Sequence, residues 1–169
     1  MWIIKTVCII GGFCISAYFG YAYSRRYVLR ERYFINLLQF CERLNSDITF
    51  SHIPLISILQ KSAGSFDGLL SEQLNSVTRL LSDNRSTDET ALREYVPQGN
   101  LTEGEYDSVI RFLGILGKSD AENQAASVQS YAAAFKVFYK DAAEGKKKYA
   151  SLFIKLGILA GAAIAIFII

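Results

Sequence analysis

Apolar residues recur at intervals of three and four over most of this chain and become continuous only toward its two ends. Residues 6–23 carry no charge, and at 1.5 Å per residue they span about 27 Å, close to the hydrocarbon thickness of a bilayer. The pattern then turns amphipathic. Leu29, Tyr33, Leu37, Phe40 with Cys41, Leu44 and Ile48 share one helix face, while Glu31, Arg32, Gln39, Glu42 and Arg43 fall off it. The first apolar stretch therefore continues as a helix until residues 49–53 break it. Pro54 suits the first position of a short helix to about Ser62, since its missing N–H costs nothing there, and Gly64 ends that helix. Phe66, Leu69, Leu70, Leu74, Val77, Leu80 and Leu81 line a third helix, and Ser82-Asp83-Asn84-Arg85 reads as loop.

Ser86 with Glu89, Thr102 with Glu105 and Ser119 with Glu122 each have the spacing of a capping box, in which two side chains satisfy backbone donors left free at a helix start. The first box predicts a brief helix stopping before Pro97, with a turn at Gln98-Gly99-Asn100. The second opens a helix that turns Tyr106, Val109, Ile110, Leu113 and Leu116 inward. Gly117 suits the left-handed position that ends it. The third opens the last helix, whose stripe is Ala121, Ala125, Val128, Ala132, Phe135, Tyr139 and Ala142. Alanines 125, 126, 132, 133 and 134 would let another helix come close. After Gly145 and Lys146-Lys147-Lys148, residues 151–169 are apolar except for Lys155, which is near enough to the boundary to reach the headgroups. No stretch alternates with period two. The expected fold is all-α: an antiparallel bundle of about six helices in residues 24–150, flanked by transmembrane helices at 1–23 and 151–169.

Charge orients the two spans. Arg25, Arg26, Arg30 and Arg32 follow the first, and Lys140, Lys146, Lys147 and Lys148 precede the second, whereas the far side has only Lys5 and the amino terminus. Positive residues near span ends stay in the cytoplasm, so both spans place the central residues there and both termini outside. Arg25, Arg26, Lys146, Lys147 and Lys148 are the residues expected to meet anionic lipid. Gly20-Tyr21-Ala22 faintly resembles a signal-peptidase site, which would release a secreted domain. The arginines that follow resist translocation and favour an uncleaved anchor.

Composition narrows the chemistry. A net charge of +2 gives no basic surface for nucleic acid. Three cysteines without a CxxC pair indicate neither a disulfide framework nor a zinc site, and Cys41 on the apolar stripe reads as a buried thiol, while Cys8 and Cys14 lie in the first span. His52 is the only histidine. Ser51 and His52 beside Asp47 lack any nucleophile motif, so a membrane hydrolase is a minor alternative. Asp83, Asp88, Glu89, Glu94, Glu103, Glu105 and Asp107 sit in loops and first turns, where they complement helix dipoles. The glycines form no phosphate-cradling loop, and no cofactor is expected.

Three segments carry a resemblance. They are Phe50-Ser51-His52-Ile53-Pro54-Leu55, then Leu116-Gly117-Lys118-Ser119-Asp120 with Gln124, and Tyr149 followed by Leu156-Gly157-Ile158-Leu159-Ala160-Gly161. In order and spacing they resemble the stage III sporulation protein AB family, over essentially the whole chain. Ile53 departs from the family's usual threonine. The resemblance implies a non-enzymatic subunit of the channel-like complex joining mother cell and forespore, in the mother-cell membrane. It also implies similarity to the inner-membrane platform protein of type II secretion and type IV pilus machines, with a secretion-type ATPase and ring-forming channel subunits as partners. The expected partner-binding or motif residues are His52, Pro54, Leu55, Leu116, Gly117, Lys118, Ser119, Asp120 and Gln124. An adaptor of another pilus or secretion assembly is the alternative reading.

Overall fold

Each interruption of the apolar rhythm ends a helix. The computed structural model describes residues 2–50, 53–83, 85–118 and 121–168, with side chains over 10–49, 53–83, 85–118 and 122–166. It is all-α, with no strand among the described residues: α1 (Trp2–Phe50), α2 (Leu55–Ala63), α3 (Leu69–Ser82), α4 (Glu89–Tyr95), α5 (Glu103–Ile115), α6 (Ala121–Gly145), a π-helical turn (Lys146–Ala150) and α7 (Ser151–Ile168). Taking the last three segments as one continuous helix, the described residues form six. Ser51, His52, Asn84, Ser119 and Asp120 lie outside the described residues, as do the side chains of Trp2, Lys5, Cys8 and Ala121. The expected Ser119–Glu122 capping box therefore also lies outside the described residues.

The helix ends follow local chemistry, with three shifts from the sequence reading. Pro54 stands one place before α2, and its carbonyl accepts the N–H groups of Ser57 (2.9 Å) and Ile58 (3.3 Å). α3 begins at Leu69, not Phe66. The Ser62 carbonyl takes the N–H groups of Ser65 and Phe66 into a turn, and Gly68 at φ +71° redirects the backbone. The Ser86–Glu89 capping box does not form, because α4 starts at Glu89 itself; the Ser86 hydroxyl accepts the Asp88 N–H instead (3.2 Å). The Thr102–Glu105 box does form, with the Thr102 N–H donating to Glu105 Oε2 (2.8 Å). The turn ending α5 requires its glycine. The Lys118 N–H reaches the Ile115 carbonyl (3.2 Å) across Leu116 (φ −63°, ψ 124°) and Gly117 (φ +79°), a type II geometry with the left-handed residue in third place.

The chain divides into two compact units: Arg32–Tyr139, and Met1–Glu31 with Lys140–Ile169. In the first, Tyr33, Phe34, Leu37, Phe40, Cys41 and Leu44 of α1 are buried, as are Leu70, Leu74 and Val77 of α3, and Val109, Ile110, Phe112 and Leu113 of α5. Rings link the helices. Phe66 meets Phe40, Phe40 meets Phe112, Phe112 meets Phe135 of α6, and Phe135 meets Phe138, with centroids 5.4–6.5 Å apart. Each such contact contributes roughly 0.5–1.5 kcal/mol beyond burial. Because Tyr131 and Phe138 join this packing, the buried line of α6 is Gln124, Val128 and Phe135, while Ala132 and Tyr139 of the expected stripe are half-exposed.

Tyr33, Gln73 and Tyr106, all buried, find polar partners on other elements of this unit. The Tyr33 hydroxyl donates to Gln73 Oε1 (2.7 Å), and Gln73 Nε2 donates to the Pro97 carbonyl (2.8 Å). The Tyr106 hydroxyl donates to the Val96 carbonyl (2.7 Å). The chain leaving α4 is thereby held to α1, α3 and α5. Burial pushes the Tyr33 phenol well above its ordinary range, and pushes the Cys41 thiol up to about 12. Cys41 is 1% exposed, and so it is inert at neutral pH.

Candidate functional site

The second unit is a pair of helices whose contacts run in opposite order. Gly12 of α1 lies against Ile164, Phe13 against Gly161, Ser16 and Gly20 against Gly157, and Tyr23 against Phe153. As numbers rise on α1 they fall on α7, so the two helices are antiparallel. Small residues make the approach possible. A Cβ on Gly20 would stand 2.6 Å from the Phe153 carbonyl oxygen and 2.9 Å from Gly157 Cα, and one on Gly157 would stand 2.9 Å from the Ser16 carbonyl. Gly157 and Gly161 are four apart on α7, as Gly12, Ser16 and Gly20 are on α1, which is the small-residue spacing of helix pairs in lipid. The Ser16 hydroxyl donates across the seam to the Gly157 carbonyl (2.8 Å). The outward faces stay apolar and exposed: Ile15 and Phe19 on α1, Leu156 and Leu159 on α7.

An aromatic and basic layer follows on the side toward the helices' charged segments. Tyr27 stacks on Phe153 (5.8 Å) and tilts against Tyr149 (5.4 Å), and Tyr23 stacks on Phe153 (5.7 Å). Arg26 lies over the Tyr23 ring (5.2 Å) and Lys148 over Tyr149 (5.1 Å). Rings with one wet edge, backed by cations, belong at the headgroup level of a bilayer. Next come the cross-helix pairs Arg30–Asp141 and Lys146–Glu31, both 2.6 Å. Lys146 is thus engaged by Glu31, whereas Arg25, Arg26, Lys147 and Lys148 remain exposed. The π-helical turn at Lys146–Ala150 lies at this same level and adds a residue to one turn of the last helix.

The motif-bearing turn lies in the other unit. Gly117 faces Leu55, whose Cδ2 would be 2.9 Å from an added Cβ, so two of the motif segments meet there. Lys118 is exposed, with its Nζ 3.4 Å from the Thr87 carbonyl and 3.7 Å from Asp88 Oδ1. It borders an open cleft of about 310 Å³, lined also by Glu89, Arg111, Gly114 and Tyr131. Leu116 is buried. Gln124, expected on the partner-facing surface, is 7% exposed, and its Nε2 has no hydrogen-bond partner among the described residues. His52, Ser119 and Asp120 cannot be placed beside them, lying outside the described residues. Many of the loop and first-turn acids pair on the surface: Asp83 with Arg85, Asp107 and Glu103 with Arg93, and Glu89 with Arg111. The Asp107 carboxylate, by its hydrogen bond, holds the Arg93 guanidinium above its ordinary range.

Sequence reasoning missed the glycine seam, although the four-residue spacing of Gly157 and Gly161 was legible, and it missed Gln73, which no local pattern marks as buried.

Among the described residues one helix, Glu122–Ile166, is long and apolar enough to cross a membrane. This defines the class: an all-α protein with one helix suited to a bilayer and an aromatic and basic layer beside it. The chain belongs to the stage III sporulation protein AB family, whose profile matches residues 3–169, and it is a sporulation-related protein. No individual protein of curated description and no solved structure matches it significantly.

Proposed function

We propose that this chain is a non-catalytic platform subunit of a secretion-like complex assembled during sporulation, fixed in the mother-cell membrane by both ends. In this reading residues 1–23 and 151–169 cross the bilayer, and residues 24–150 are an antiparallel helical bundle in the cytoplasm. The observation that carries it is the aromatic and basic layer of Tyr23, Arg26, Tyr27, Lys148, Tyr149 and Phe153 on an antiparallel, glycine-seamed helix pair. Such a layer supports two neighbouring spans entering the bilayer at one depth. Family membership supports the sporulation context.

The partners in this reading are a secretion-type ATPase and ring-forming channel subunits, with membrane lipid meeting Arg25, Arg26, Lys147 and Lys148. The docking surface is the segment Lys118-Ser119-Asp120 that follows Gly117, the residue facing Leu55, with Gln124 as an interior support. A photo-cross-linking residue in place of Lys118, in sporulating cells, tests this. Adducts with subunits of the sporulation complex are expected. Adducts only with components of another pilus or secretion assembly would make the chain an adaptor of that assembly.

A further inference from the structure

We propose that the cleft between the last turns of α1 and the end of α2 binds the phosphate of a small phosphorylated solute that also carries an amino or hydroxyl group. Arg43, Ser46 and Asp47 project from α1 at spacings of three and four, so they share one face. Lys61 and Ser62 end α2, and Ser65 follows in the turn. Together these residues line an open space of about 310 Å³, at the small end of the range for small-molecule sites. Among the described residues no apolar side chain lines it, so a hydrophobic helix has little to grip.

The charges are unspent. Arg85, Arg93, Arg111 and Lys118 each have a carboxylate within 4 Å, but among the described residues neither Arg43 nor Lys61 does. Among the described lining residues two cations face Asp47, a net positive balance. Arg43 is also oriented: its guanidinium lies over the buried Phe66 ring (5.1 Å), which fixes the plane of the fork and leaves its N–H edges available. Ser62 is 5% exposed yet lines the cleft, and its hydroxyl has no partner among the described residues.

The end of α2 could oppose an anion through its free carbonyls, but these are occupied. The Gln60 carbonyl accepts the Gly64 N–H (3.2 Å), the Lys61 carbonyl accepts the Ser65 hydroxyl (2.8 Å), and the Ser62 carbonyl accepts the N–H groups of Ser65 and Phe66. Donors for phosphate oxygens therefore remain on Arg43, Lys61, Ser46 and Ser62. Asp47 and the Ser65 oxygen can only accept, which asks the ligand for a donor of its own.

The test uses the full chain in dodecyl maltoside micelles, titrated with O-phosphoserine and with inorganic phosphate and read by phosphorus NMR. Saturable binding of both is expected, tighter for O-phosphoserine, with Asp47→Asn erasing that difference. Lys61→Gln with Arg43→Gln weakens binding at least tenfold, and Ser62→Ala weakens it severalfold without lowering the melting temperature. Arg85→Gln with Arg111→Gln leaves it within twofold. Absence of saturable binding, or equal loss in the Arg85 and Arg111 variant, overturns the site. Repeating the titration in nanodiscs identifies the source of the phosphate. If phosphatidylglycerol discs abolish O-phosphoserine binding and neutral discs do not, the occupant is a lipid headgroup and the solute proposal fails.

Discussion

Gln73 offers a sharp energetic test of the Arg32–Tyr139 unit. It is fully buried and satisfies two groups at once, accepting from the Tyr33 hydroxyl at 2.7 Å and donating to the Pro97 carbonyl at 2.8 Å. Gln73→Leu preserves much of the volume but orphans both partners. Each buried unsatisfied group costs about 1–3 kcal/mol, and the added apolar burial returns roughly 1–2 kcal/mol. The net loss is then about 1–4 kcal/mol. For a unit of this size each kcal/mol moves the melting temperature by roughly 4–8 °C. Tyr33→Phe orphans only Gln73 Oε1 and costs about 1–2 kcal/mol. The double variant removes the Tyr33 hydroxyl that Gln73→Leu would strand, so it is less destabilised than the sum of the singles by about 1 kcal/mol or more. Thermal and urea unfolding of the full chain in micelles, followed by circular dichroism, measures all three. Loss below about 0.5 kcal/mol for Gln73→Leu, or strict additivity, would refute a formed relay through this side chain.

Four further outcomes are expected. Gly117→Ala forces a Cβ onto a residue at φ +79° and to 2.9 Å from Leu55, so it costs about 1–3 kcal/mol; adding Leu55→Ala recovers only the steric part, leaving the backbone strain readable in the same melts. Cys41, its thiol raised by burial from 9.0 to about 12, escapes iodoacetamide in the folded protein at pH 8, as peptide mapping would show. Since the folded value is the higher one, its stabilising contribution is complete below pH 9 and falls between pH 9 and about 12, by up to ~1.4 kcal/mol per pH unit, a slope that Cys41→Ala reduces. Gly157→Leu wedges α1 from α7, so spin labels on the two helices should separate by several ångströms, whereas Leu159→Ala on the exposed face leaves their distance unchanged.

The helix ends were largely legible because their causes are local. Pro54, Gly99, the Thr102–Glu105 box and Gly117 act through their own backbone or through neighbours three residues away. The apolar stripe of α1 was legible from Tyr33 to Leu44 for the same reason, although its expected first member, Leu29, is exposed and Phe34, fully buried beside Tyr33, fell outside a single-file reading. What stayed hidden depends on distant partners. Gln73 looks like a surface residue until Tyr33 and Pro97 are brought to it, and Ser86–Glu89 matched a spacing that the backbone did not adopt. Arg43 and Lys61 come from two helices with a break between them, so no window on the chain holds their cleft. Within the motif that carried the family resemblance, Gly117 had a local reason to be glycine. Gln124 did not announce that it would be buried.

The account depends on residues 24–150 lying on the cytoplasmic side, with a span at each end. A single reactive cysteine at Asn100, in the exposed turn after Gly99, reports this directly in a background lacking the native thiols. With a membrane-impermeant maleimide, labelling is expected only after the cells are opened, at full yield. Labelling of intact cells at that same yield would put the helical unit outside and contradict the account.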